Sequence, residues 1–154
     1  MVQIYLIDIK EDREFIAQIS AGKIITKRKL NEIYIDGGTR NCQICLVDKQ
    51  KKKIIVKRRS GVLTNNELEY LALIYALEYI KNNYSKTPVL ITSDSMLIVN
   101  QINGKWRVTT EHLIPLYEKA VKKMRPDIKI SWIRRNRNLA GIYLEKGKLN
   151  LDDY

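Results

Sequence analysis

The chain has 154 residues, the size of one compact domain, which excludes two large ones. Hydrophobic residues make up 45% and charged residues 29%, enough apolar material to bury a core, so a disordered chain is excluded as well. Lys and Arg number 28 against 17 Asp and Glu, and the net charge of +11 favours a polyanionic partner such as nucleic acid or an acidic membrane surface.

Two cysteines, Cys42 and Cys45, and one histidine, His112, supply neither a disulfide framework nor the four ligands of a structural zinc site. A reduced, cytoplasmic location is expected. Acidic Asp8, Glu11 and Asp12 lie close to the apolar start, without the basic segment and long apolar run of a secretion signal. No run approaches the roughly 20 apolar residues that crossing a bilayer takes, so a soluble protein with no membrane partner is expected. Its default state is a monomer.

Residues 2–9 and 15–20 cluster or alternate apolar side chains around the polar turn Lys10-Glu11-Asp12-Arg13, the pattern of a β-hairpin. Ile24 and Ile25 are placed to continue the pairing, and the basic Lys27-Arg28-Lys29 reads as a connector. A boundary near residue 31 separates an N-terminal extension, 1–31, from a main domain, 32–154. From Ile33 the pattern predicts a short strand to Asp36, stopped by Gly37-Gly38, a second strand through Ile44 and Val47, and a third over 54–57. Polar Asp48-Lys49-Gln50-Lys51-Lys52 turns between the last two, so the three form an antiparallel meander.

Asn65 to Lys81 carries Leu68, Leu71, Ala72, Tyr75, Ala76 and Tyr79 at spacings of three and four, which predicts a helix with one buried face, capped by Thr64 or Asn65. Pro88 introduces Val89-Leu90-Ile91-Thr92, a strand apolar enough to be buried on both faces. A short helix over 95–102, a longer one over 111–124, a strand over 128–133 and a helix from about Asn138 complete the order β-β-β-α-β-α-α-β-α. That order implies a mixed sheet, antiparallel first and parallel later, with helices on its faces.

Asp36 ends an otherwise apolar strand, Glu69 sits at the edge of the helix stripe one turn in, and Asp94 follows the buried strand. An ionised carboxylate near a sheet interior loses hydration and needs a compensating cation, and converging carboxylates are a hard-oxygen site for Mg²⁺ or Mn²⁺. Read singly, Asp36 is a turn residue, Glu69 a solvated helix residue and Asp94 a helix cap.

Together the segments resemble the type 1 ribonuclease H family. The resemblance rests on Ile33-Tyr34-Ile35-Asp36-Gly37-Gly38, on Thr64-Asn65-Asn66-Glu67-Leu68-Glu69-Tyr70-Leu71-Ala72-Leu73, and on Thr92-Ser93-Asp94-Ser95 through Asn103-Gly104, and it spans Ile33 to about Glu145. It implies a ribonuclease H-like α/β fold: a five-stranded mixed sheet flanked by helices, here with an N-terminal β-hairpin extension. It also implies an endonuclease that cleaves the RNA strand of RNA/DNA hybrids to 5′-phosphate and 3′-hydroxyl ends, with two divalent ions, Mg²⁺ or Mn²⁺. Asp36, Glu69 and Asp94 match the family's first three carboxylates. Such ions lower the pKa of water and offset charge on a leaving oxygen.

The fourth carboxylate departs from the pattern, because Gly141 stands where the family commonly has Asp. Glu145, four residues on and on the same helical face, is the candidate replacement, ahead of Asp152 and Asp153 in the tail. Thr64, Asn65 and Asn66 match residues that touch the hybrid's backbone and minor groove, where the 2′-hydroxyl marks RNA, and also read as helix caps. No histidine follows the last strand, and Arg134 and Arg135 are the expected phosphate clamp in its place. His112 reads as a surface or packing residue, Trp106 as packed on the core ahead of stacking on a sugar, and Cys42 and Cys45 as inert. The rival reading is a catalytically inactive ribonuclease H-like module that binds nucleic acid, motivated by Gly141.

Overall fold

The computed structural model describes residues 4–9, 14–19 and 24–29 as backbone, and residues 31–154 with their side chains. The chain divides into two units, Met1–Asn31 and Glu32–Tyr154. In the first, strands β1 (Ile4–Ile9), β2 (Glu14–Ile19) and β3 (Ile24–Lys29) form an antiparallel sheet in the order β1-β2-β3. The basic stretch Lys27-Arg28-Lys29 is thus strand rather than connector, with Lys29 opposite Glu14 and Lys27 opposite Ile16. The turn at Lys10-Glu11-Asp12-Arg13 lies outside the described residues.

The second unit is a five-stranded sheet in the order β6-β5-β4-β7-β8, built from β4 (Asn31–Gly38), β5 (Gln43–Asp48), β6 (Lys53–Arg58), β7 (Val89–Ser93) and β8 (Ile128–Trp132). The first three pair antiparallel and β7 pairs parallel with β8, the mixed sheet expected. The helices are α1 (Asn65–Asn83), α2 (Met96–Ile102), α3 (Ile114–Lys123) and α4 (Leu139–Lys146).

Side-chain alternation along β4 and β5 divides the core in two. Ile33, Ile35, Ile44 and Leu46 join a cluster with α1 residues such as Leu68, Leu73 and Ile80. Tyr34, Cys45 and Val47 point the other way and pack with Leu139 and Ala140 of α4. Every residue of β7 is buried, as its unbroken hydrophobicity predicts. Asp48, fully buried, accepts hydrogen bonds from the hydroxyls of Tyr79 (2.7 Å) and Tyr84 (2.8 Å) and from the Lys51 amide (3.1 Å), which satisfy both its oxygens.

Two boundaries differ from expectation for local reasons. β4 runs through Gly37 and Gly38, which pair with Ile44 and Gln43, so the glycines do not stop the strand. The helix expected over 111–124 begins as a 3₁₀ turn, Glu111–Leu113, and becomes α-helical at Ile114, where Pro115 occupies the first turn and has no amide hydrogen to place. Trp106, expected in packing, is 47% exposed.

Candidate active site

Three carboxylates far apart along the chain meet at one end of the sheet. Asp36 comes from β4, Glu69 from the second turn of α1 and Asp94 from just past β7; each offers an oxygen, and the three oxygens lie within 4.8 Å of one another. Local sequence sets each approach. Thr64 caps α1 with a capping box: its hydroxyl accepts from the Glu67 amide while the Glu67 carboxylate accepts from the Thr64 amide. That fixes the start of α1 and so aims Glu69 inward. Gly37 lets β4 press against α1, because a Cβ there would lie 2.5 Å from the Leu68 carbonyl carbon. Its amide in turn donates to Glu69 Oε1 at 3.1 Å.

Asp94 is held from two sides. Its carbonyl accepts from Trp132 Nε1 at 3.1 Å, and its carboxyl is hydrogen-bonded by Asn138, whose amide nitrogen also donates to the Ile35 carbonyl at 2.9 Å. Asn138 caps α4 as well, its oxygen accepting from the Ala140 amide. One buried side chain thus ties α4 to β4 and to Asp94. The sequence reading missed this role; the signal was an Asn just before an apolar helix start, but a bond reaching 103 residues back along the chain is tertiary.

Burial dominates the electrostatics. Asp36 is pushed up to about 6, first by desolvation and then by Asp94, while its hydrogen bond with Glu69 and the charge of Arg135 pull it down. Glu69, 2% exposed, is held well above the usual carboxylate range, first by burial and then by the neighbouring charge of Asp36. Asp94 is raised by burial, against the pull of Asn138 and Arg135. Glu69 Oε2 and Asp94 Oδ2 are buried and have no hydrogen-bond donor in the protein. Three hard oxygen donors, two of them with orphaned buried atoms, fit a divalent cation such as Mg²⁺ or Mn²⁺.

The other expected site residues fall around this cluster differently. Thr64, Asn65 and Asn66 are exposed at the start of α1, and Arg134 and Arg135 are exposed where β8 leaves the sheet. Gly141 backs onto the carboxylates: a Cβ there would lie 3.4 Å from Asp36 Oδ2 and 3.5 Å from Asp94 Oδ2. Glu145 is exposed one turn further along α4, and the acidic group gathered among the described residues does not include it.

A mixed five-stranded sheet with this order, carrying a carboxylate cluster at its end, is a ribonuclease H-like fold. The reverse transcriptase-like family model matches residues 41–145, and the chain belongs to that family. The structure of LC11-RNase H1, isolated from compost by a metagenomic approach, superposes with a TM-score of 0.64 at 28% identity, covering 76% of this chain and 93% of that one. LC11-RNase H1 in complex with an RNA/DNA hybrid gives a TM-score of 0.60 at 28% identity, over 70% of this chain and 87% of that one. The bifunctional protein Rv2228c of Mycobacterium tuberculosis is 35% identical over 85 residues, 53% of this chain and 23% of that protein. The chain thus spans less than a quarter of the length of the curated relatives it matches. The resemblance to type 1 ribonuclease H is borne out by these structural neighbours. Among the described residues, no helix is long and apolar enough to cross a membrane.

Proposed function

We propose that the protein is an endoribonuclease that hydrolyses the RNA strand of RNA/DNA hybrids, leaving 5′-phosphate and 3′-hydroxyl ends. The observation that carries the reading is the convergence of Asp36, Glu69 and Asp94 with two orphaned buried oxygens. These three residues would hold Mg²⁺ or Mn²⁺, with two ions expected, and Glu145 is the candidate fourth ligand. When bound, the ions supply an activated water and offset charge on the leaving 3′ oxygen. The chain's own groups position the rest. The Gly37 amide orients Glu69, Asn138 orients Asp94, and Thr64, Asn65 and Asn66 face the hybrid's backbone and 2′-hydroxyls from the start of α1. Arg134 and Arg135 clamp phosphate beside the cluster, where Arg135 already draws on Asp36 and Asp94.

Support comes from family membership and from neighbours that are RNase H1 enzymes, one of them bound to a hybrid. Residues 1–31 form an extension outside the catalytic domain, a monomer is the default state, and free Cys42 and Cys45 suit a reducing cytoplasm. Gly141 favours a second reading, a hybrid-binding module without catalysis, because its position carries no carboxylate. Incubation with a hybrid labelled on the RNA strand separates the two. A nuclease cuts that strand with Mn²⁺ or Mg²⁺ and stops in chelator; an intact strand in a shifted complex would overturn the enzyme reading.

A further inference from the structure

A second charged concavity lies away from the carboxylates. A groove of about 630 Å³ is lined by Lys81 at the end of α1, by Lys119, Lys122 and Lys123 of α3, and by Arg125 just beyond. Lys81 lies twelve residues after Glu69 on the same helix, about 18 Å along its axis at 1.5 Å per residue. The acidic residue of the lining, Glu78, pairs with Lys123 at 3.3 Å, and Arg125 is bound by Asp127 at 2.9 Å. Lys81, Lys119 and Lys122 are exposed and form no ion pair among the described residues.

Helix-dipole compensation explains Lys81, Lys122 and Lys123, which stand in last turns. It does not explain Lys119, mid-helix and at spacings of three and four from the other two, where like charges repel. Nor does it explain why two helices aim unpaired ammonium groups into one open groove. Several uncompensated cations lining one open groove are what a polyanion neutralises.

We infer that the groove between α1 and α3 is a second phosphate-backbone site, which grips nucleic acid flanking the segment that lies over the carboxylates. For its substrate this rests on the hybrid-nuclease reading. Lys119→Glu/Lys122→Glu tests it, since both side chains are exposed and outside the catalytic cluster. Binding is measured in chelator against a hybrid of about 20 base pairs and one of about 8, which at 3.4 Å per step reaches only about 14 Å either side of the carboxylates.

On the long hybrid the slope of log affinity against log salt should shrink by about 1.8, two contacts at 0.9 each, so that between 50 and 200 mM salt wild-type affinity falls about twelvefold more than the variant's. Binding and cleavage of the short hybrid should be unchanged, and melting should show the variant folded. An unchanged slope on the long hybrid, or equal weakening on both, would overturn the inference. Lys119→Gln/Lys122→Gln repeats the test without introducing acids. If wild type cuts neither hybrid while the slope still falls, the groove stands and the nuclease reading fails.

Discussion

Asp36→Asn should stabilise the metal-free protein while destroying the proposed site. Asp36 is 8% exposed, and its folded-state pKa of about 6 against an ordinary 3.8 means that ionising it in place costs about 3 kcal/mol, at 1.36 kcal/mol per unit. Between those two values the native state holds a proton that the unfolded chain has released, so stability falls as pH rises from 3.8 through about 6 and the full cost is present above that. Asn carries no charge to desolvate, and its side-chain carbonyl can still accept from Glu69. At pH 8 in chelator the variant should melt roughly 6–12 °C above wild type, at 2–4 °C per kcal/mol for a chain of this length. The gap should close as pH falls to about 4, and should also close with saturating Mn²⁺, which stabilises wild type by about 2.7 kcal/mol at a hundred times its dissociation constant. Thermal melts across pH, with and without metal, read this directly. A variant melting at or below wild type in chelator at pH 8, or an advantage that persists undiminished at pH 4, would refute the reasoning.

Gly37→Ala should force β4 away from α1 by nearly 1 Å, since its Cβ would sit 2.5 Å from Leu68 backbone. Urea melts should show a loss of about 1–3 kcal/mol, and hybrid cleavage should drop about a hundredfold through misplacement of Asp36 and Glu69. Gly141→Asp adds a carboxylate where a Cβ meets Asp36 and Asp94 at ordinary contact distance, so titration calorimetry should show Mn²⁺ binding tighter by about tenfold, with Gly141→Ala unchanged. Asp48→Ala strands two buried tyrosine hydroxyls and should cost about 2–5 kcal/mol in denaturant melts, with cleavage per folded molecule unaffected.

Much of this architecture is written locally. The stripe of α1 is read directly from spacing, its cap is narrowed to Thr64 or Asn65 and falls on Thr64, and the burial of β7 follows from a run with no polar face. Asp36, Glu69 and Asp94 each have an ordinary local explanation, and stand out together through the resemblance of their segments to type 1 ribonuclease H. Gly37 reads in the sequence as a strand stop because a glycine's lack of Cβ looks the same whether a turn or a neighbouring helix demands it; only the position of Leu68 tells them apart. The 3₁₀ start at Glu111–Leu113 escaped because its periodicity merges with that of α3. In the sequence Asn138 marks only the start of a helix, since its reach to Ile35 and Asp94 depends on how α4 crosses the sheet. Glu145 follows from helical phase: it stands exposed one turn beyond Gly141, about 6 Å further along the axis, a distance its longer side chain has to span.

A crystal of the protein with an RNA/DNA hybrid and Mn²⁺, measured at the manganese absorption edge, locates the ions without reference to activity. The account predicts anomalous peaks within about 2.0–2.3 Å of oxygens from Asp36, Glu69 and Asp94 and against the RNA phosphate, and loss of those peaks in Asp94→Asn. Peaks elsewhere, or none with the hybrid seated over those three side chains, would contradict it.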